Sequence, residues 1–129
     1  MGRIRENISV KNDNIWTLFD SGARHTYVIK KVANKLKTSS YDEVENISLG
    51  GKVHKVRMDC ILNCKIENLP IRVKARVLDE IGLDEDGKNI EVLFGALAMQ
   101  KWGIKLDLEN EKLDMSNYPK EFLEFVDLL

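Results

Sequence analysis

A carboxylate, a hydroxyl and a glycine follow one another at the end of an apolar run, in the stretch "LFDSGA" at residues 18–23. Asp, Ser and Gly are turn-forming residues, so one interpretation is an ordinary loop after a strand. The other interpretation is that Asp20 lies on a rigid turn that aims its carboxylate at a substrate. The three residue types leave both interpretations open, and the rest of the chain has to decide between them.

Several other kinds of site fit the sequence poorly. His25 and His54 are too scattered to form a catalytic pair with Ser21, which also lacks the Gly-x-Ser-x-Gly elbow of serine hydrolases. The pair Gly50–Gly51 precedes a strand instead of a helix with Lys-Ser/Thr, so it is no phosphate loop. In "DEIGLDEDGKN", Lys88 stands where an EF-hand needs an oxygen ligand, which favours a solvated loop. We therefore expect no metal and no cofactor.

The two cysteines, Cys60 and Cys64, lie on one alternating apolar run and so on one predicted strand. Four residues of strand separate them by about 13 Å. A disulfide needs Cα atoms within about 7 Å, and a shared zinc would hold both sulfurs about 2.3 Å from the metal. We predict that both cysteines are buried, reduced thiols.

Composition indicates one ordinary globular domain over residues 1–129. The 20 Lys and Arg against 21 Asp and Glu give a net charge of −1, and the charges are interspersed. Such a balance creates no field that attracts nucleic acid or an anionic membrane, so we expect neither as a partner. The sequence contains no apolar run of about 18 residues and no signal-peptide core, which favours a cytoplasmic location.

Alternation of apolar and polar residues predicts strands through most of the chain. The first two, "IRENISV" and "IWTLFD", are joined by a polar turn at residues 12–14. Helical spacing of apolar residues predicts a helix from Tyr27 to Lys37, followed by "TSSYDE" as a polar connector. The glycines at 50 and 51 predict a tight hairpin, and "ENLP" predicts a second one.

The second half of the chain alternates short helices with strands. "IEVLF" is a predicted strand ending at Gly95, and residues 96–102 form a short helix that Gly103 ends in a left-handed conformation. A further hairpin turns at Glu109 and Asn110, and a closing helix spans residues 118–129 with Pro119 in its first turn. The sum is a small, mostly β domain with two or three short helices, arranged as a closed or half-closed barrel.

Two segments, read together, carry a family resemblance. The first is "IWTLFDSGARHTYV", and the second, about seventy residues later, is "VLFGALAMQKWGIKLDLENEKLD". With a glycine-tipped hairpin between them, the chain resembles the retropepsin-like aspartic proteases, which include retroviral proteases and their cellular and prokaryotic relatives. The likeness covers residues 4–115. It implies an acid-protease half-barrel with a flap hairpin, to which the C-terminal helix is an addition.

The resemblance implies hydrolysis of peptides by a pair of carboxylates. Two carboxylates held about 3 Å apart cannot both ionise, so they share one proton. One then acts as the general base that activates water, and the other as the general acid that polarises the scissile carbonyl. This chain has a single Asp-Ser/Thr-Gly, so a working site requires a C2 homodimer with Asp20 from each copy on the axis. The expected activity is that of an aspartic endopeptidase on extended peptides or proteins, best in acid.

The resemblance also assigns roles to individual residues. Asp20 is half of the catalytic dyad, the Ser21 hydroxyl locks the two active-site loops together across the dimer axis, and Gly22 lets the substrate backbone come close. Substrate-binding residues are expected in the catalytic loop, at the flap and on the later strand: Ala23, Arg24, Ser48, Leu49, Gly50, Gly51, Leu93 and Phe94.

Three departures from the family pattern support an alternative. Retroviral members carry an acid where this chain has Arg24, and they follow the later glycine with Arg and Asn, where this chain has Ala96 and Leu97. The network that braces the viral dimer is therefore missing or rebuilt. His25 is closer to the non-viral branch. The alternative is a non-catalytic dimerisation or peptide-binding module on the same fold.

Overall fold

Strands dominate residues 2–119, the part of the chain that the computed structural model describes. This confirms the mostly β fold class. The elements, in chain order, are β1 (Arg3–Val10), β2 (Asp13–Asp20), β3 (Tyr27–Ile29), α1 (Lys30–Ala33), β4 (Lys37–Leu49), β5 (Lys52–Ile66), β6 (Leu69–Leu78), β7 (Gly82–Leu83), β8 (Asn89–Ile90), β9 (Val92–Phe94), α2 (Ala96–Trp102), β10 (Lys105–Asp107) and β11 (Lys112–Asp114).

One curled sheet forms the body of the fold. Its seven strands follow the order β1-β2-β9-β3-β6-β5-β4, and a single pairing of Ser9 with Lys65 joins β1 back to β5. That pairing makes the sheet a partly closed barrel, as the sequence predicts. Two small ribbons, β7 with β8 and β10 with β11, lie outside the main sheet. No helix within residues 2–119 is long and apolar enough to cross a membrane.

The position of β9 determines how the candidate site is held. β9 lies between β2 and β3, parallel to the first and antiparallel to the second. Residues 21–26 connect β2 to β3 and must therefore pass around the end of β9. The loop that contains Asp20, Ser21 and Gly22 is thus supported by a strand that comes much later in the chain.

The two faces of β2 belong to different apolar clusters. Ile15 and Phe19 point into the barrel core, whereas Leu18 points to the opposite face. Side chains on a strand alternate between faces, so Asp20 shares the face of Leu18 and Trp16. The Phe19 ring packs on Phe94 of β9, with ring centroids 5.0 Å apart, and ties the two parallel strands together inside the barrel.

The predicted helix from Tyr27 to Lys37 is wrong over most of its length. Residues 27–29 form β3, and only Lys30–Ala33 are helical. All three residues of β3 are buried because β9 and β6 flank the strand. A short apolar run that is buried on both faces has no period of its own, so it cannot be distinguished from a helix by spacing.

The predicted connector "TSSYDE" is also wrong, because residues 38–43 belong to β4. β4 lies at the edge of the sheet and is exposed on most of its length, so its sequence is polar without being a loop. The first hairpin turns at Lys11 and Asn12, one residue earlier than predicted, and both residues have positive φ.

The predictions that rest on glycine are confirmed. Gly50 and Gly51 have φ of 59° and 77° at the turn between β4 and β5, and Gly103 ends α2 with φ of 66°. The β10–β11 hairpin forms around Glu109 and Asn110. The predicted closing helix, residues 118–129, lies outside the described residues beyond Pro119.

Both cysteines are buried on β5 and carry no disulfide within residues 2–119, as predicted. Burial raises the pKa of the Cys60 thiol to about 11 and that of the Cys64 thiol to about 12. At neutral pH both groups are therefore protonated, weakly reactive members of the apolar interior.

Candidate active site

Asp20 lies at the end of β2, where its own loop holds its carboxylate in place. Oδ1 accepts a hydrogen bond of 2.8 Å from the N–H of Gly22, and the Asp20 carbonyl accepts one of 3.1 Å from the N–H of Ala23. Only 14% of the Asp20 side chain is exposed. The carboxylate is thus fixed by a tight turn and largely shielded, on the face of the sheet that carries Leu18.

Arg3 is the neighbour of Asp20 that the sequence analysis missed. It lies directly opposite Asp20 in the β1–β2 ladder, and its Nε is 3.4 Å from Asp20 Oδ2. The Arg3 side chain is 68% exposed, so solvent screens the pair and its contribution to stability is small. The predicted turn at residues 12–14 would have placed Glu6 opposite Asp20, and only the observed turn at Lys11 and Asn12 brings Arg3 there.

Ser21 is hydrogen-bonded within its own chain. Its Oγ accepts from the N–H of Gly2 at 2.9 Å and donates to the Gly2 carbonyl at 3.2 Å, and its own N–H donates to that carbonyl at 3.1 Å. These bonds fasten the start of the described chain to the loop. The role of Ser21 across a dimer axis stays a prediction.

The start of α2 braces the loop from the other side. The carbonyl of Ala23 accepts from the N–H of Ala96 at 2.6 Å, and the carbonyl of Arg24 accepts from the N–H of Leu97 at 3.1 Å. Both donors belong to the first turn of α2, whose N–H groups have no partner inside the helix. The loop and the helix therefore satisfy each other's backbone groups.

Gly95 is a glycine because the loop backbone touches it. A Cβ at this position would lie 2.2 Å from the carbonyl oxygen of His25, far inside van der Waals contact. The N–H of Gly95 donates to Thr26 Oγ1 at 3.1 Å across a sequence separation of 69 residues. This close approach gives a physical reason for the Phe-Gly-Ala pattern noted in the sequence.

Apolar side chains beside Asp20 form a patch that we call the site-face cluster. It includes three of the predicted substrate-binding residues, Ala23, Leu49 and Leu93, and so joins the loop, the β4–β5 hairpin and β9. Its other members were not predicted: Trp16, Leu18, Tyr27, Tyr41, Ile47, Val56, Leu78, Ile81 and Ile90.

The β4–β5 hairpin extends from the site-face cluster to an open tip. Ile47 and Leu49 are half-buried against the cluster, whereas the intervening Ser48 is exposed. An added Cβ at Gly50 or Gly51 would meet no atom within 4 Å. The two turn glycines therefore have open space around them, although Lys52 directly after them pairs with Glu80 at 2.8 Å. Of the four hairpin residues predicted to bind substrate, only Leu49 packs on the cluster.

Comparison with protein families settles the affiliation of this fold. The chain matches the family model of the Ty3 transposon peptidase over residues 2–92, which include the loop of Asp20 and the β4–β5 hairpin. The chain belongs to the Ty3 transposon peptidase family. A search of curated protein sequences finds no match.

Solved structures show the same fold. The retroviral protease-like domain of Ddi1 from Leishmania major matches with a TM-score of 0.66 and 11% identity, over 91% of this chain and 90% of that chain. The EIAV protease, solved with an inhibitor, matches at 0.59 and 16%, over 83% and 94%. A retropepsin-like aspartic protease from Rickettsia conorii matches at 0.50 and 22%, over 87% and 88%. The predicted retropepsin-like family and fold are confirmed.

Within this peptidase fold, one predicted substrate-binding residue needs correction. Phe94 is fully buried and packs on Phe19 inside the barrel, so none of its surface is available to a substrate. Leu93 points the other way, into the site-face cluster. Neighbours on a strand face opposite sides, and only one of the pair can line the site.

The remaining predicted residue, Arg24, is exposed beside the half-buried His25. Burial lowers the pKa of His25, and the positive charges of Arg76 and Arg24 act in the same direction. The imidazole is therefore neutral at physiological pH. Arg24, which stands where viral members carry an acid, and Arg76 make the surroundings of His25 more positive, and Glu45, which pairs with Arg76 at 3.1 Å, offsets part of that charge.

The acidic loop between β7 and β8 is anchored at one residue. Asp84 Oδ1 accepts from the N–H groups of Asp86 and Lys88, both at 2.9 Å, and Oδ2 accepts from Trp16 Nε1 at 2.8 Å. Its side chain is 3% exposed, in contrast to the solvated loop that the sequence predicts. Within residues 2–119, no group of three potential ligands forms a metal site. The anchor fixes this loop against a member of the site-face cluster.

Proposed function

We propose that this member of the Ty3 transposon peptidase family is a homodimeric aspartic endopeptidase. The observation that carries the proposal is the setting of Asp20: a shielded carboxylate, fixed by a tight turn, on the same face as an apolar cluster and a glycine-tipped hairpin. The family and the shared fold support a protease of the aspartic kind. The dimer, the dyad and the catalysis are the proposed part.

The proposed chemistry uses Asp20 from two copies. At a separation of about 3 Å the pair holds one proton between them, so one carboxylate activates water while the other donates its proton toward the scissile carbonyl. The bond from the Gly22 N–H keeps Oδ1 oriented. Oδ2, which faces Arg3 in the single chain, is the oxygen that turns toward the second copy.

The proposed substrate is an extended peptide with apolar side chains. Main-chain hydrogen bonds would hold it in the cleft, and alternate side chains would enter pockets lined by Ala23, Leu49 and Leu93. The β4–β5 hairpin acts as a flap, because its inner face is apolar and its tip is held to the described chain by an exposed ion pair between Lys52 and Glu80. Closure of the flap excludes water from the developing charge.

The first test is cleavage of apolar reporter peptides by the purified protein between pH 3 and 7. We expect specific activity to rise with protein concentration until the dimer saturates. Asp20→Asn keeps the size of the side chain and should lower the rate by about 10²–10⁴-fold or more, because it removes the acid–base group. A wild-type protein that is dimeric yet cuts nothing in this range would contradict the proposal.

The second test uses two neighbours on the hairpin. Leu49→Ser removes an apolar contact on the inner face and should lower kcat/KM for an apolar peptide by about tenfold or more. Ser48→Ala alters the outward face and should leave kcat/KM almost unchanged. Equal effects of the two substitutions would exclude the proposed flap orientation.

The alternative, a non-catalytic dimerisation or peptide-binding module, is favoured by two observations. Asp20 already has an intrachain cationic neighbour, Arg3, and Ala96 and Leu97 stand where viral members have bracing residues. A crystal structure separates the two candidates by the distance between the Asp20 carboxylates of two copies. A distance that one water cannot bridge, with peptide bound and uncut, would identify the binding module.

A further inference from the structure

A groove of about 990 Å³ lies at the end of the sheet remote from Asp20, and we call it the distal groove. Lys11 and Asn12, at the turn between β1 and β2, form part of its wall. The turn is eight residues from Asp20 along β2, or about 25 Å. The distal groove therefore belongs to a different surface from the candidate active site.

The floor of the distal groove is apolar. Tyr118 is fixed there, since its hydroxyl donates to the Pro70 carbonyl at 2.6 Å and its ring stacks on Trp102 with centroids 5.9 Å apart. The apolar lining comes from β5, β6, α2 and the end of the described chain: Ile61, Cys64, Pro70, Ile71, Trp102 and Tyr118. A concave apolar surface of this size indicates an occupant.

The rim of the distal groove is cationic. Five basic side chains surround the floor: Lys11, Lys65, Arg72, Lys74 and Lys101. No carboxylate is among the described residues that line it. The chain as a whole carries a net charge of −1, so this local excess of positive charge is a property of the groove and selects an acidic occupant.

The ten residues after Pro119, "KEFLEFVDLL", have the complementary composition. At 100° per residue, a helix would gather Glu121, Glu124 and Asp127 on one side. The same helix would present five apolar side chains on the other side. These are Phe122, Leu123, Phe125, Val126 and Leu129.

We propose that residues 120–129 dock as an amphipathic helix in the distal groove of their own chain. Pro119 itself lines the groove, so the segment begins where the groove begins. Ten helical residues span about 15 Å. With the apolar face on the floor, Glu121 and Asp127 flank that face on the two sides that meet the basic rim, and Glu124 lies between them on the outer side. A helix this short is marginal alone, so docking and helix formation occur together. The proposal is independent of the proposed catalysis.

The test is hydrogen exchange of the full chain, followed by mass spectrometry. We expect the amides of residues 120–129 to exchange more slowly than in the isolated peptide, at a rate that does not depend on protein concentration. Reversing the segment's charges with E121K/E124K/D127K should weaken that protection about tenfold, as expected for three exposed ion pairs. Adding K11E/K65E/K101E at the rim should restore it.

A matched control places the same charge changes elsewhere. K30E/K31E/K55E, on α1 and β5 and outside the groove lining, should not rescue the reversed segment. Phe122→Ser with Phe125→Ser should abolish protection of the segment while exchange in β2 and β9 stays unchanged, which separates undocking from unfolding. Unprotected wild-type amides, equal rescue by both lysine sets, or protection that rises with concentration because a second copy supplies the segment, would each overturn the proposal.

Discussion

At the scale of single residues, the loop of Asp20 depends on close contacts at Gly95 and Phe94 that do not admit a side chain of another size. The backbone at Gly95 lies against the His25 carbonyl, where any side chain would collide, and Phe94 is fully buried against Phe19 in the barrel core. Neither residue faces the site. Both hold the loop of Asp20 in position from behind, so substitutions there should affect function through the fold.

Gly95→Ala tests this support. Its Cβ would lie 2.2 Å from a backbone oxygen that cannot move without displacing the loop, so we expect a loss of about 3 kcal/mol or more in the free energy of unfolding. Gly50→Ala is the control, because a φ of 59° is unfavourable for alanine but nothing lies within 4 Å of the added Cβ. It should lower the free energy of unfolding by about 1 kcal/mol. Urea unfolding followed by circular dichroism measures both. Equal losses would show that the close contact is unimportant.

Glu6 offers a prediction about pH. Its Oε2 is buried with no hydrogen-bond partner among the described residues, and burial, assisted by Glu67, raises the pKa of the carboxyl. The folded state thus holds this proton more tightly than the unfolded state, so stability is highest below the ordinary pKa of 4.5 and falls as the pH rises through the folded value.

Glu6→Gln removes that dependence. We expect the variant to have a higher urea midpoint than the wild type at pH 7 and the same midpoint at pH 3, where the wild-type carboxyl is also neutral. Glu43→Gln, on exposed β4, is the control and should change neither value. A variant that is no more stable at pH 7 would mean that the buried oxygen finds a partner.

Single residues were predicted well where their own chemistry acts locally. The residue types at positions 20–22 indicate a turn at the end of a strand, and a pair of glycines indicates a hairpin. Arg3 and Asp84 were missed because their significance depends on partners across a ladder or 68 residues away, as between Trp16 and Asp84. Such pairings leave no periodic trace in the sequence.

At the scale of elements, the β7–β8 loop is held against the site-face cluster by Asp84, whose carboxylate accepts a hydrogen bond from Trp16 Nε1. The N–H of Lys88 is the main cause of the lowered pKa of Asp84, and Trp16 Nε1 adds to it. The charged form of Asp84 is favoured in the folded state. The anchor is therefore present above the ordinary pKa of 3.8 and is lost as the pH falls through the lower folded value.

The Trp16 indole reports on that anchor. In a Trp102→Phe background, acidification below about pH 3.8 and the substitution Asp84→Ala should both shift the Trp16 emission to the red, because the ring loses its carboxylate partner and gains water. Asp86→Ala removes an exposed contact with Arg5 and is the matched control, with no expected shift. An unchanged spectrum in Asp84→Ala would show that the loop is held by other contacts.

Strands were predicted correctly where one face is buried and the other is exposed to solvent. β5 and β6 alternate along their whole length and were found from period alone, whereas β3, buried on both faces, and β4, mostly exposed, were assigned to a helix and a connector. Burial on both faces or on neither removes the period that identifies a strand. The missed elements are therefore the central and edge strands of the sheet.

At the scale of the whole molecule, the partly closed barrel isolates its thiols from solvent. The pKa of Cys60 is about 11 and that of Cys64 about 12, both raised by burial. At pH 8 the thiolate fraction of each is lower than that of an ordinary cysteine by a factor of about a hundred or more.

Thiol titration with a chromogenic disulfide should therefore label neither cysteine of the folded protein at pH 8 on the timescale that labels both in about 8 M urea. Mass spectrometry of the labelled protein counts the modified sites. Rapid labelling of either cysteine in native buffer would mean that the barrel opens more often than its packing implies.

The place of β9 between β2 and β3 has a consequence for the order of events during translation. A ribosome releases Asp20 long before it has made Val92–Phe94, and until those residues emerge the turn has no strand beneath it and no Gly95 to close upon. A nascent chain stopped before Val92 should thus be sensitive to added protease, and one extended well past Gly103 should resist it. The turn of Asp20 can therefore reach its folded conformation only late in synthesis, after β9 and Gly95 have left the ribosome.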